Sequence, residues 1–329
     1  MHKLYPWLET SYRQLLSQCR TLPHALLLSG PPGIGKSELA QRFANALLCE
    51  QPRPDGDACG ECLACGWFGQ SSHPDFRPLA PGSDDEEGKE RASRDIRIAQ
   101  VSGLADFLAV GAHRGGRKVV LIDPADAMNV PAANALLKTL EEPLGNTVFL
   151  LVSSRADALP ATIRSRCVSV QIALPSPAAA TQWLAEQTGA DAGEVAGWLA
   201  AAGGAPLRAR ALAEPAQAAA YRLILQAVAR IPDNSGIQAA EAVASVPPKA
   251  WVPLLQAWVT DLGRVAAGGR PRRFPDQHER LARLARATTL PRIAAYAQWL
   301  HQQGAAVEHP LNPRLYCEDT LLRYRALFG

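Results

Sequence analysis

One run of eight residues has the composition of a phosphate-binding loop. It reads Gly30-Pro31-Pro32-Gly33-Ile34-Gly35-Lys36-Ser37, follows a short apolar segment and precedes a helical pattern. Glycines let backbone N–H groups turn toward phosphate oxygens, and the start of a helix adds a partial positive charge. Lys36 is placed to reach the β- and γ-phosphates of a nucleotide, and Ser37 to bind Mg²⁺. The run therefore predicts a loop that either binds Mg-ATP or keeps its shape without a nucleotide.

A second apolar segment ends in an acid. Asp123 closes the run that begins at Lys118, and in this position it can bind the Mg²⁺ of a nucleotide. The next residue is Pro124, which cannot accept a proton from an attacking water. A positioned general base contributes about 10²–10⁴-fold to a rate. The sequence therefore predicts slow or absent hydrolysis, with Asp126 as the alternative base.

Four cysteines lie close together, with the spacing C-x9-C-x2-C-x2-C. They are Cys49, Cys59, Cys62 and Cys65. Structural Zn²⁺ prefers a closed tetrahedral shell of four thiolates, and iron–sulfur clusters also use four cysteines. Two short C-x-x-C steps on a Gly-rich turn favour zinc. The isolated cysteines at 19, 167 and 317 are predicted to be core or surface residues.

Composition narrows the class of protein. The chain has 329 residues, of which 47% are hydrophobic, and a formal net charge of +3. These values suit a globular protein of two or three domains, and the charge is too small to indicate nucleic-acid binding by itself. No apolar run is long enough to span a membrane, and the N-terminus lacks a signal-peptide layout. We therefore expect a cytoplasmic protein without disulfide bonds.

The sequence falls into two regions with different patterns. Up to about residue 170, short apolar segments alternate with helical patterns, which predicts a parallel sheet covered by helices. After about residue 173 the chain is rich in Ala and Leu, with helical periodicity and breaks at 203–204 and 232–236. The acidic tract 84–87 predicts a solvated, mobile loop. The predicted strands are 25–29, 119–122 and 148–152, and the predicted helices in this part are 38–48, 92–110 and 132–140.

Three segments carry a resemblance to a known family. Residues 134–143 resemble the signature helix of the AAA+ clamp-loader subunits of bacterial DNA polymerase III. Residues 162–167 resemble their Ser-Arg-Cys motif, and residues 24–28 fit the segment before their phosphate loop. The resemblance is strongest over the first 170 residues. It continues more weakly at 312–315 and 321–324, which resemble the last helices of a delta-prime collar domain.

This resemblance implies a domain organisation. The fold class is α/β, with a P-loop domain of the AAA+, RecA-like type at residues 1–172. A zinc module is inserted in it at about 49–81. A small helical lid domain is expected at 173–212, and an all-α collar, or oligomerisation, domain at 213–329.

Within the family, the chain resembles delta-prime more than gamma/tau. Gamma/tau subunits have a glutamate at the position of Pro124. They also have a sensor 2 arginine where this chain has Leu207, with Arg208 one step away. The length fits too, with no tail after the collar. Some delta-prime subunits have a degraded phosphate loop, whereas this one is intact, so the resemblance leaves ATP binding open.

The resemblance also implies roles and partners. Clamp loaders are five-subunit rings of gamma/tau, delta and delta-prime that use ATP to close a sliding clamp around primer-template DNA. The resemblance assigns Arg166 as an arginine finger that reaches ATP on a neighbouring subunit. Ser153 or Ser154 stands where AAA+ proteins place a polar sensor 1 residue. The chain would be part of a polymerase holoenzyme, with no polymerase activity and little or no ATPase activity of its own, and it would have no membrane partner.

Two other functions remain possible from the residues. One is an active, gamma/tau-like ATPase that uses Asp126 as its base. The other is a zinc-dependent nucleic-acid-binding module, for which the basic run 270–274 could contact phosphates. The low net charge counts against the second, and a short charge run is more often a solvated loop.

Overall fold

The computed structural model describes residues 4–82, 95–113, 116–231, 241, 243, 246–303 and 312–329. The chain divides into two compact units, Met1–Ala179 and Ala180–Gly329. The predicted acidic loop at 84–87 and the predicted break at 232–236 lie outside the described residues. None of the described helices is both long enough and apolar enough to cross a membrane.

The first unit is built on a parallel sheet. Its described strands are β1 (Ala25–Ser29), β2 (Phe76–Leu79), β3 (Lys118–Ile122), β4 (Thr147–Ser153) and β5 (Val168–Gln171). They lie in the order β2-β3-β4-β1-β5, and each neighbouring pair is parallel. Every residue of β1, β3 and β4 is buried. The parallel α/β sheet that the alternating pattern predicts is therefore confirmed, whereas the two edge strands were not predicted.

Helices surround this sheet. In the first unit they are α1 (Glu9–Ser17), α2 (Lys36–Leu48), α3 (Leu63–Gly69), α4 (Ile98–Ser102), α5 (Leu104–Ala109), α6 (Val130–Glu141) and α7 (Ala161–Arg164). The single helix predicted at 92–110 is wrong in its described part, because Gly103 separates α4 from α5. Glycine in a helix interior is unfavourable by about 1 kcal/mol relative to alanine, so a break there is inexpensive. Residues 92–94 lie outside the described part of the chain.

The described residues of the second unit are helical, with no strand among them. The helices are α8 (Pro177–Thr188, which starts in the first unit), α9 (Ala192–Ala202), α10 (Pro206–Ala213), α11 (Pro215–Ala229), α12 (Pro248–Ala266), α13 (His278–Arg286), α14 (Leu290–Gln302) and α15 (Pro313–Arg325). Trp251 and Trp258 are buried in the core of this unit, as helix-packing residues should be. The Trp258 indole donates a hydrogen bond to the Tyr324 hydroxyl at 2.7 Å. The boundary between domains at 212 and 213 stays a prediction.

Candidate nucleotide site and cysteine cluster

The glycine-rich loop connects β1 to α2 at the carboxyl edge of the sheet. A Cβ atom on Gly30 would lie 2.2 Å from the carbonyl oxygen of Ile172, so a side chain does not fit there. Gly35 has φ +90°, a left-handed conformation that favours glycine, and its Cβ would lie 2.5 Å from the Tyr5 ring. The loop shape thus depends on glycine at the positions that the phosphate-loop pattern contains.

Lys36 begins α2, and its side chain is held inside the loop. The ammonium donates to the carbonyl oxygen of Pro31 at 2.8 Å and to the hydroxyl of Ser154 at 3.0 Å. Burial lowers the pKa of Lys36, and the charges of Asp123 and Asp126 partly oppose this effect. Within the described residues, no carboxylate lies at ion-pair distance from the ammonium. The loop therefore presents a buried cation without a direct counter-ion, which suits an anionic ligand.

Asp123 follows β3 and stands beside Ser37. Burial raises the pKa of Asp123, while a hydrogen bond from the Ser37 hydroxyl and the charge of Lys36 lower it. A carboxylate beside a hydroxyl supplies the hard oxygen ligands that Mg²⁺ prefers. Pro124 comes next, across a cis peptide bond, so no acidic side chain occupies that position.

Asp126 connects the end of β3 with the end of β4. Its Oδ1 accepts hydrogen bonds from the Ser153 hydroxyl at 2.8 Å and the Ser154 N–H at 3.1 Å, and its Oδ2 from Arg155 Nε at 3.3 Å. Burial would raise the pKa of Asp126, but these hydrogen bonds hold it below the usual range. Both carboxylate oxygens are thus engaged in fixing the segment that presents Ser154 to Lys36. The sequence contains no local signal for this role.

Arg166 lies at the amino ends of the strands, opposite the carboxyl edge that carries the phosphate loop. It precedes β5, which pairs in parallel with β1 from Leu26↔Val168 to Ser29↔Gln171. Its guanidinium contacts Glu141 at the end of α6 and donates to the Thr162 carbonyl at 2.9 Å. This pairing places Arg166 level with the start of β1, whereas the phosphate loop follows the end of β1. At about 3.3 Å per strand residue, these two points are roughly 20 Å apart. The structure therefore brings Lys36, Ser37 and Asp123 together but leaves Arg166 far from them.

The four predicted cysteine ligands converge. Their sulfur atoms all lie within 4.8 Å of one another, with Cys49 Sγ 3.6 Å from Cys59 Sγ and 3.8 Å from Cys62 Sγ. The Sγ atoms of Cys59 and Cys65 are 3.9 Å apart. A tetrahedral ion with metal–sulfur distances of about 2.3 Å separates its ligands by about 3.8 Å. The cluster can therefore hold a metal ion of this kind.

Backbone N–H groups point at the sulfur atoms of the cluster. Cys59 Sγ accepts from the N–H groups of Glu61 at 3.4 Å and Cys62 at 3.3 Å, which lower the pKa of the Cys59 thiol to about 6. Cys49 Sγ accepts from the Cys59 N–H at 3.3 Å. Burial raises the pKa values of Cys49 and Cys65. A thiolate is the form that binds metal, so these N–H groups support ligation.

A buried acid, which the sequence reasoning missed, fastens the cysteine loop to α2. Asp57 is 4% exposed and accepts hydrogen bonds from the Tyr12 hydroxyl, from Arg42 Nη2 at 2.5 Å and from the Ala58 N–H at 2.8 Å. Burial would raise the pKa of Asp57, but Arg42 and Tyr12 bring it below the usual value. The guanidinium of Arg42 also lies over the Tyr12 ring. Helix α2 therefore carries the phosphate loop at one end and the cysteine cluster at the other.

Comparisons with known proteins agree with this arrangement. A family model described as "DNA polymerase III, delta subunit" matches residues 9–176. The DNA polymerase III subunit delta' of Pseudomonas aeruginosa is 38% identical over 346 residues, covering 100% of this chain and 99% of that protein. The Escherichia coli K12 subunit delta' is 34% identical over 227 residues, covering 68% of this chain and 65% of that protein.

A solved structure was also compared with the chain. The gamma subunit-related protein of DNA polymerase III from Thermotoga maritima is 19% identical, with a TM-score of 0.44, over 98% of this chain and 100% of that one. A TM-score this low leaves the family assignment to the sequence matches. Those matches confirm the resemblance seen in the motifs: the chain belongs to the delta' family of DNA polymerase III subunits.

Proposed function

We propose that this chain is the stator subunit of a clamp loader. With gamma/tau and delta subunits it would form a five-subunit cytoplasmic ring that closes a sliding clamp around primer-template DNA. The observation that carries the proposal is the separation of Arg166 from the phosphate loop of its own chain. An arginine of the Ser-Arg-Cys motif that cannot reach its own nucleotide site is suited to act on a neighbour's.

The proposed role of Arg166 is an arginine finger in trans. Its side chain is 34% exposed, and its guanidinium contacts a half-exposed Glu141, the Thr162 carbonyl and, at 3.4 Å, the Ser165 hydroxyl. Exposed ion pairs are worth about 0–1 kcal/mol, so a phosphate can replace Glu141 at little expense. A finger supplied in trans can contribute roughly 10³–10⁵ to turnover. The partial exposure of this guanidinium supports such an exchange.

The second part of the proposal is that the chain hydrolyses ATP slowly or not at all. Pro124 cannot act as a base, and Asp126 uses both carboxylate oxygens to hold Ser153, Ser154 and Arg155. A lowered pKa also makes Asp126 a weaker base at neutral pH. These contacts argue against the alternative of an active, gamma/tau-like ATPase.

We propose that the intact loop can nevertheless hold Mg-ATP as a bound ligand. The glycine-shaped backbone of residues 30–37 would surround the phosphates, with Lys36 on the β- and γ-phosphates. Ser37 and Asp123 would supply the oxygen ligands for Mg²⁺. The preformed contact between Ser37 and Asp123 supports this assignment.

We also propose that Zn²⁺ occupies the four-cysteine cluster and that its role is structural. The sulfur spacing suits a tetrahedral ion, and the four cysteines would leave no open position for a substrate. In the remainder of the chain, 173–212 would form a lid and 213–329 a collar that assembles the ring. The helices of the second unit suit these roles.

The decisive experiment compares two arginine variants in the reconstituted complex. Arg166→Ala would be assembled with gamma/tau and delta subunits, and ATP turnover would be measured with clamp and primed DNA. We expect turnover at the adjacent site to fall by about 10³-fold or more, because the transition-state charge loses its partner. Arg164→Ala, an exposed arginine on α7, is the matched control and should keep normal turnover. Equal turnover in both variants would reject the finger.

Nucleotide binding is tested separately on the isolated chain. A fluorescent ATP analogue with Mg²⁺ should bind the wild-type chain, and Lys36→Ala should abolish binding. Hydrolysis by the isolated chain that disappears in Asp126→Asn would instead establish the active-ATPase alternative.

A further inference from the structure

The second unit contains a cavity that the proposed clamp-loader role does not use. Its volume is about 610 Å³, and it lies among helices α10, α11, α12 and α14. Pockets for small ligands typically measure about 300–1,000 Å³ and combine apolar walls with a few polar groups. This cavity has both the size and the character of such a pocket.

One side of the cavity is basic. Arg208 is exposed on α10, and Arg273 reaches the cavity from the loop after α12. The Arg273 guanidinium donates to the carbonyl oxygen of Ala201 at 2.8 Å and lies directly on Gly203, where a Cβ would be 2.4 Å from its Cζ. Arg273 is therefore fixed in place by packing and by a hydrogen bond.

The loop that carries Arg273 is itself anchored. Asp261 is 1% exposed, and its carboxylate accepts hydrogen bonds from the backbone N–H groups of Arg272 at 3.0 Å, Arg273 at 2.7 Å and Phe274 at 3.0 Å. The sequence-based expectation that the basic run 270–274 is a solvated loop is therefore wrong for Pro271, Arg273 and Phe274. Phe274 is buried, and Arg273 points inward because three backbone bonds set the direction of the loop.

The two arginines line one cavity, with no neutralising acid among its described lining residues. Burial lowers the pKa of Arg273, the nearby charge of Arg208 lowers it further, and only Asp261 opposes this. Among the described residues, neither arginine forms an ion pair with a carboxylate, and none of the described residues that line the cavity is acidic. Arg208 is also one residue away from the position where gamma/tau subunits have the sensor 2 arginine. Because each residue turns an α-helix by about 100°, Arg208 lies on a different side of α10 from that position.

Part of the cavity wall is apolar. Leu212, Ile224, Leu254, Phe274 and Leu300 line the cavity beside the two arginines. We propose that the cavity binds a small amphipathic anion, with its carboxylate, phosphate or sulfonate head between Arg208 and Arg273 and its apolar body against these side chains. An anion at this point relieves the repulsion of the two guanidiniums.

The experiment uses two dyes that differ mainly in charge. The full chain is titrated with 1-anilinonaphthalene-8-sulfonate, an anion, and with N-phenyl-1-naphthylamine, its neutral counterpart, while fluorescence is followed. Arg208→Gln should weaken binding of the anionic dye by about fivefold or more and leave the neutral dye unchanged, since only the head-group contact is lost. Arg210→Gln, an exposed arginine on the same helix but outside the cavity, is the matched control and should change neither.

A second variant tests the apolar part of the site. Ala220→Phe places a ring in the cavity and should remove the saturable binding of both dyes, with circular dichroism confirming an intact helical fold. The proposal is overturned if Arg208→Gln and Arg210→Gln bind the anionic dye equally well. It is also overturned if Ala220→Phe binds both dyes like the wild-type chain.

Discussion

Helix α2 joins two sites that are held together in opposite ways. At its N-terminal end, Gly30 and Gly35 permit the phosphate loop to pack closely against Ile172 and Tyr5. At its C-terminal end, Cys49 meets three other thiols, and one acid, Asp57, links their loop to the helix. The shape of the first site is set by contacts within the chain, whereas the second brings together four thiols that can hold a metal ion.

The charged side chains at the two ends of α2 also differ in how the fold treats them. Burial makes the Lys36 ammonium less favourable in the folded chain than in water. Asp57, by contrast, is stabilised as a carboxylate by Arg42 and Tyr12. The loop end thus holds a charge suited to a ligand, and the cysteine end uses its charges to stabilise the fold. Substitutions at the two ends should separate these effects.

The largest effect is expected at a metal ligand. Cys62→Ser should lower the metal content below one ion per chain and lower the free energy of unfolding by at least about 4 kcal/mol, because loss of a structural metal belongs to the most destabilising class of changes. Metal analysis and thermal unfolding measure both quantities. Cys19→Ser, at a half-buried thiol outside the cluster, should alter neither. Equal stability of the two variants would contradict a structural metal.

A smaller loss is expected where the cysteine loop is fastened to α2. Asp57→Asn removes the charge that pairs with Arg42 and should cost about 3 kcal/mol, since breaking a buried ion pair leaves one charge uncompensated. It should also accelerate the release of metal to a colorimetric chelator. Glu61→Gln changes an exposed acid in the same loop and serves as the control. Unchanged release in Asp57→Asn would show that Asp57 does not hold the loop.

Asp126 should contribute less, and its contribution should depend on pH. Asp126→Asn weakens three hydrogen bonds to the end of β4, so we expect a loss of about 1–2 kcal/mol at neutral pH. The pKa of Asp126 is lowered in the folded chain. Its contribution is therefore fully present above the unfolded pKa of about 3.9 and is lost as the pH falls through the folded value. Chemical unfolding of both chains between pH 3 and pH 8 measures this difference, which should be constant above about pH 5. A difference that grows toward acid pH would contradict it.

The smallest effect on stability is expected at Lys36 of the phosphate loop. Lys36→Met should leave the free energy of unfolding unchanged or raise it, within about 1 kcal/mol, because it removes a cation whose pKa burial has lowered. Thermal unfolding without nucleotide measures this, with Lys138→Met on the surface of α6 as the control. A loss as large as that of Asp57→Asn would mean that Lys36 serves the fold and not a ligand.

Sequence patterns predicted the centre of the sheet better than its edges. Strands β1, β3 and β4 are buried on both faces and therefore appear as continuous apolar runs. The edge strands β2 and β5 are short and partly exposed, and β2 contains Pro78. Proline and polar residues are tolerated at an edge because fewer backbone groups need partners there, so the pattern that identifies a strand is weak.

The chemical identity of the sites was determined by the sequence alone. The glycine-rich run, Asp123 before Pro124 and the cysteine spacing are local patterns whose chemistry follows from their residue types, whereas the role expected of Arg166 came from the resemblance of residues 162–167 to a family motif. Only the tertiary structure decided that Asp126 is bound to the end of β4, that Asp57 joins the cysteine loop to α2, and that Arg166 and the loop lie at opposite edges. These relations depend on strand order and on contacts between side chains that are far apart in the sequence. The spacing of residues predicts neither of these.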